Sequence, residues 1–191
     1  NSTDIFKIKN NLINFIWKNN EFPNSKLPTS VNVDISNSLY DDFSNLERID
    51  QLNIEMEFDV NSISYLFIPK SSNNKLVIYH QGHGGDFYKG KETIQFFLEK
   101  DYSVLAFSMP LLGMNDKPLV EISNLGTIKL TSHEHFRFLE SENFSPIKFF
   151  IEPITISLNY LDKNHNFSSY DMVGISGGGW IVSLYSAIDD R

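Results

Sequence analysis

Between residues 75 and 189 the chain alternates short, continuously apolar runs with longer amphipathic ones, and this rhythm restricts the fold more than any other feature. The runs "KLVIYH" (75–80), "YSVLAFSM" (102–109) and "YDMVGI" (170–175) are too short for stable helices and lack polar alternation. Each therefore predicts a strand covered on both faces. The segments "KETIQFFLEK" (91–100), "SPIKFFIEPITISLNYL" (145–161) and "GWIVSLYSAID" (179–189) predict helices. In the second of these, Ser145 is the expected N-cap with Pro146 at the first position, and Pro153 is expected to kink or interrupt the helix. Covered strands alternating with helices define an α/β class: a mostly parallel, doubly wound sheet with helices on both faces.

Upstream the pattern is different. Residues 4–18 place Ile5, Ile8, Leu12, Phe15 and Ile16 at helical spacing and predict an amphipathic helix. A connector rich in Pro and Asn follows. Residues 49–60 alternate Leu52, Ile54, Met56 and Phe58 with polar residues, which predicts a half-buried strand. "SISYLFIPK" predicts a second strand, and a turn over 59–62 joins the two as an antiparallel hairpin at the N-terminal edge. The expected organisation is an N-terminal helical extension with its connector over 1–48, followed by an α/β domain over 49–191. Residues 110–144 form a long, weakly periodic connection of the kind that often carries function.

Composition removes several classes of function. With 191 residues, 41% of them hydrophobic, the chain can bury one sizeable core. A formal charge of −8 and the lack of a Lys/Arg stripe argue against a nucleic-acid partner. No apolar run has the roughly 18–20 residues that span a bilayer. The absence of Cys excludes disulfides and thiolate metal sites but does not fix a compartment.

The chemistry concentrates at two glycine-rich junctions. In "DMVGISGGGW" (171–180), Ser176 stands between Gly174 and Gly178, where a buried strand meets an apolar helix. Such a turn lifts a serine hydroxyl above the sheet edge, beside the positive end of the following helix. In "HQGHGGD" (80–86), a glycine-rich loop ends another buried strand and can turn amides toward a developing oxyanion. The residue after the nucleophile, Gly177, supplies the second donor. Both junctions lie at the carboxyl ends of strands, where open α/β sheets bind ligands.

With these two motifs, residues 49–191 resemble the α/β-hydrolase superfamily, in its dienelactone-hydrolase-like and prolyl-oligopeptidase-like branch of esterases and peptidases. The resemblance implies Ser176 as nucleophile, with an oxyanion hole formed by Gly177 and by amides around His83 and Gly84. It implies that the 75–80 and 170–175 strands are neighbours. The substrate would be a small ester or acyl compound, with no cofactor and no metal. Family members carry the triad acid and histidine after the serine. Here 15 residues follow Ser176, none of them His, and Asp189 and Asp190 fall at the far end of the helix. The chain is therefore expected to be the N-terminal portion of a longer hydrolase, inactive by itself, whose C-terminal remainder is its partner. Two rival readings are a phosphate- or nucleotide-binding α/β module and a catalytically inactive scaffold. The first lacks both the Gly-Lys-Ser/Thr and the Gly-x-Gly-x-x-Gly pattern.

Other residues carry weaker expectations. His80, at a strand end, is expected to shape the oxyanion loop; His133 is expected to lie on a solvated loop or to line the pocket, and Asp116 to hold a turn or to reach the cleft. His133 and His135 have ligand-like spacing, but as strand residues they would face opposite ways. Asp86 is expected to cap the helix near Gly90 or order its loop. Trp180 is expected to pack behind the elbow and His165 to lie at the surface.

Overall fold

The computed structural model describes residues 2–18 and 21–191, so positions 19 and 20 of the expected connector lie outside the described residues. In chain order the elements are α1 (Ser2–Trp17), β1 (Ser30–Asn32), β2 (Leu46–Glu55), β3 (Asn61–Pro69), β4 (Lys75–His80) and α2 (Lys91–Leu98). They continue with β5 (Ser103–Phe107), β6 (Leu119–Ile122), β7 (Gly126–Lys129), α3 (Lys148–Asn164), β8 (Ser169–Gly174) and α4 (Gly177–Tyr185).

Six strands form one sheet in the order β1-β2-β3-β5-β4-β8. β1, β2, β3 and β5 pair antiparallel in sequence, while β4 pairs in parallel with β5 on one side and β8 on the other. The half of the sheet that bears both glycine-rich junctions is thus the parallel half. Alternate side chains of the central strands enter opposite cores, as the two-residue period of a strand requires. Leu66, Leu76, Ile78, Leu105 and Phe107 pack with Ile16 and Trp17 of α1, Ile154 and Leu158 of α3 and Ile181 of α4. Tyr65, Phe67, Tyr79, Val104 and Ala106 pack on the other face against Ile94 and Leu98 of α2.

Three local expectations are corrected. The strand expected over 49–60 stops at Glu55, because Phe58 and Asp59 adopt left-handed angles (φ 60° and 56°) and the Met56 amide bonds the Val60 carbonyl at 2.8 Å. Phe58 keeps the apolar alternation without belonging to the strand: its ring packs edge-on against Phe144, 4.9 Å between centroids. Ser145 does not cap α3, which begins at Lys148 behind Ile147 and runs through Pro153 without interruption. The 110–144 connection, weakly periodic and assigned no element from the sequence, contains the antiparallel β6–β7 hairpin and a 3-10 turn over His133–Phe138. Val120, Leu130, Phe136 and Leu139 anchor it to Phe149 of α3.

A buried carboxylate ties the N-terminal helix to this body. Glu152 of α3 accepts from Trp17 Nε1 (2.8 Å) and Lys26 Nζ (2.7 Å), and Lys148 Nζ lies 3.5 Å away.

Candidate active site

β8 and β4 run side by side, with Gly174 opposite His80, so the two glycine-rich junctions leave the sheet together. The Ile175 amide extends the pairing by one bond, to the His80 carbonyl at 3.1 Å. The chain then turns abruptly. Ser176 has φ 54° and ψ −121°, a combination sparsely populated by any residue with a Cβ. It occupies the N-cap position of α4, yet its side chain caps no amide of that helix. The residue is exposed, so the hydroxyl stands at the mouth of the junction beside the amide-rich end of α4.

The "HQGHGGD" loop comes against this turn at Gly82 and His83. A Cβ on Gly82 would stand 2.4 Å from the Ile175 carbonyl oxygen and 2.9 Å from the Ser176 Cβ. Only glycine permits that approach. At Gly177 a Cβ would meet Met109 Cε at 2.4 Å and His83 Nδ1 at 2.7 Å, so the His83 ring lies over the residue that follows the serine. Gly84 faces elsewhere: its nearest neighbours are Gln81 Nε2 (3.3 Å) and Lys89 Cδ (3.9 Å), and its carbonyl accepts from the Lys89 ammonium. Asp86 caps the 3-10 turn over Phe87–Gly90 by accepting from the Tyr88 amide at 2.7 Å, which holds the far end of the loop.

His133 reaches the same place from the long connection. Its Nδ1 lies 3.2 Å from His83 Nε2, and its Nε2 donates to the Pro110 carbonyl at 2.7 Å. The ring stacks on Phe136 (5.7 Å, 20°) and meets Phe150 edge-on (5.0 Å). Phe150 in turn meets Trp180, which is 47% exposed and not packed behind the elbow as expected. Burial lowers the His133 pKa; the Pro110 bond opposes this and the neighbouring His83 adds to it. The contact between His83 and His133 escapes a reading of the sequence, because the two residues are 50 positions apart and no local pattern joins them.

The remaining sites are held by other partners. His80 is buried, stacks on Phe107 and donates Nδ1–H to the Gln81 carbonyl at 2.9 Å. Burial pushes its pKa down to about 4, the carbonyl bond only partly opposing this. Asp116 is exposed and exchanges hydrogen bonds with Asn61 at the start of β3 (2.8 and 2.7 Å), so its partner is that strand end and not the elbow. His135, on the 3-10 turn and not on a strand, turns away from His133, with its Nδ1 3.1 Å from the Lys129 carbonyl oxygen and 3.2 Å from the Thr131 amide nitrogen. His165 is half-buried and stacked on Phe167. Asp189 is engaged by Tyr185 and Arg191 at the end of the chain. Among the described residues no group of three or more His, Cys, Asp or Glu could hold a metal ion, and no helix is long and apolar enough to cross a membrane.

No protein-family model and no curated protein matches the chain. Solved structures do. An acetyl xylan esterase from Thermoanaerobacterium sp. JW/SL YS485 superimposes on 97% of this chain with a TM-score of 0.58 at 13% identity. An acetyl xylan esterase from Paenibacillus sp. R4 covers 99% of it with the same score at 14% identity. The esterase Pf2001 from Pyrococcus furiosus covers 86% with a TM-score of 0.53 at 16% identity. The chain spans about half the length of each (53%, 57% and 53%). At these identities the likeness is one of fold: over that half, this chain is built as these esterases are.

Proposed function

We propose that residues 49–191 are the nucleophile-bearing part of a serine hydrolase of the α/β-hydrolase type, which cleaves a carboxylic ester or a related acyl bond. Ser176 attacks the acyl carbon. The amide of Gly177 and an amide of the 82–84 loop stabilise the tetrahedral oxyanion, and water releases the acyl group in a second step. The observation that carries this reading is the backbone of Ser176, φ 54° and ψ −121°, which aims an exposed hydroxyl away from the helix it could have capped. Backbone strain of this kind is found where a function requires it. The esterase neighbours, two of them acetyl xylan esterases, support an ester over a peptide bond. On this reading residues 1–48 are an extension that packs α1 on the hydrolase domain and adds β1 and the start of β2 to its sheet. The triad acid and histidine come from beyond residue 191, in the order that the family resemblance implies.

The test is turnover of an aryl acetate by protein that includes the acid and the histidine. Ser176→Ala should abolish turnover with the circular dichroism unchanged, and the 191-residue chain should give none. Retained turnover in Ser176→Ala would remove the serine from the mechanism.

A further inference from the structure

The Pro110 carbonyl can only accept a hydrogen bond, so its 2.7 Å contact with His133 places that ring's hydrogen on Nε2. In the neutral ring Nδ1 is then bare, and the 3.2 Å contact with His83 Nε2 makes His83 the donor. A neutral His83 with its hydrogen on Nε2 keeps its lone pair on Nδ1. That is the atom 2.7 Å from where a Cβ on Gly177 would stand. One backbone carbonyl thereby dictates the tautomers of two histidines in series.

A single added proton reverses the character of that atom. If the proton enters His83, Nδ1 becomes an N–H and the bond to His133 persists. If it enters His133, the bridge survives only with His83 accepting through Nε2, which again puts the His83 hydrogen on Nδ1. Either way an N–H and a share of positive charge face Gly177. A second proton would set two N–H groups against each other and break the bridge.

The surroundings favour the first placement. Met109, Pro110, Phe136, Phe150 and the glycines of α4 press on the pair, and none of them ionises. Ionisable groups on the same two segments are His80, bonded to the Gln81 carbonyl, Asp86, bonded to the Tyr88 amide, Lys89, bonded to the Gly84 carbonyl, and Glu134, His135 and Arg137 on the turn of His133. His133 is half-buried and His83 exposed, so the charge is better solvated on His83.

We propose that His83 and His133 form a one-proton switch whose output is His83 Nδ1: a lone pair in the neutral pair, and a hydrogen-bond donor carrying positive charge once the pair holds a proton. Its ligand is a carboxylate product or the oxyanion that forms beside Gly177. The inference rests on the elbow reading above for its use, but not for its ring chemistry. His133 is a positioning residue in this scheme, acting through His83.

Histidine nitrogen NMR on the 191-residue chain reads both rings directly. At high pH both should show the Nε2–H tautomer, and on acidification the pair should take up one proton, with His83 Nδ1 gaining the hydrogen. Butyrate at saturating concentration should raise the midpoint by about one pH unit, the linkage expected for an anion bound about tenfold tighter to the protonated pair. His133→Asn keeps an acceptor for His83 and should keep the shift, whereas His133→Phe should lose it. A His83 with its hydrogen on Nδ1 at high pH, two independent protons, or a midpoint indifferent to butyrate in the wild type and in His133→Asn would overturn the switch. Failure of Ser176→Ala to abolish ester turnover would instead overturn the hydrolase reading, whatever the rings do.

Discussion

Gly82 and Ser176 are 94 residues apart in sequence, yet a Cβ on the first would stand 2.9 Å from the Cβ of the second. The loop that ends β4 is therefore fitted against the serine at its backbone. Gly82→Ala must push either the loop or the Ile175 carbonyl away, at about 1–3 kcal/mol for an overpacked site. It should lower the melting temperature and displace the elbow. Gly84→Ala meets only the movable ends of Gln81 and Lys89 and should cost a small fraction of that. Thermal denaturation of the two variants side by side decides this; equal losses would mean that the approach at Gly82 is not the tight one.

The buried carboxylate of Glu152 gives a second prediction. Its side chain is 2% exposed and is satisfied by Trp17, Lys26 and Lys148. Removing a partner from a buried ion pair typically costs about 3–5 kcal/mol, because the charge left behind has no compensation. Glu152→Ala should leave the buried Lys148 with Glu57, 2.6 Å away, as its carboxylate partner and remove the acceptor of the Trp17 Nε1–H. Because Lys148 keeps Glu57 and Lys26 is exposed, a loss below that range, with a shift in tryptophan emission, is the expected outcome. Denaturant unfolding that finds less than about 1 kcal/mol would place α1 and the connector outside the cooperative unit.

How far the sequence could be read depended on whether a signal was local. β4 and β5 were legible because a strand covered on both faces has to be apolar throughout, whereas β8, read in the same way, is the edge strand among the described residues, half-buried with Asp171 exposed. The sharp turn at Ser176 was legible because Gly174, Ser176 and Gly178 occur within five positions. The turn after β2 was not, because Phe58 keeps the alternation of a strand while its left-handed backbone carries the ring out to Phe144. Ser145-Pro146 imitates a helix start, but the Ser145 hydroxyl is buried without a hydrogen-bond partner among the described residues, and α3 begins three residues after it. The His83–His133 contact lay beyond any pattern. It depends on a hairpin folding the long connection back, and on a Pro110 carbonyl that every residue type possesses.

His80 carries a pH prediction. Its pKa falls from 6.5 to about 4 on folding, so between those values the unfolded chain holds the proton that the folded chain refuses. Stability is therefore complete above about pH 6.5 and declines as pH falls toward 4. For 6.5 − 4 = 2.5 units the loss is about 3 kcal/mol. His133 and His165, also lowered by burial, act in the same direction, whereas Glu57 and Asp189 have lowered carboxyl values and lose their contribution at more acid pH. His80→Asn keeps a donor for the Gln81 carbonyl and should flatten the dependence between pH 6.5 and 5. An unchanged slope in that variant would assign the acid sensitivity to the other two histidines.

The last prediction turns on the strain at Ser176. A non-glycine residue at φ 54° and ψ −121° bears a cost of about 1–3 kcal/mol that glycine does not. Ser176→Gly therefore relieves the native state, while its added freedom in the unfolded chain takes back about 0.4–1 kcal/mol. The expected net gain is about 1 kcal/mol, or roughly 2–4 °C for a chain of this size. Ser176→Ala keeps the Cβ and should show no such gain. Neither variant retains a hydroxyl, so both should be inert toward a fluorophosphonate in protein that includes the acid and histidine, where the wild type is labelled. A serine retained for packing would behave oppositely, with both variants less stable than wild type. Scanning calorimetry of the three proteins thus separates a residue held under strain for its chemistry from one held for its fit.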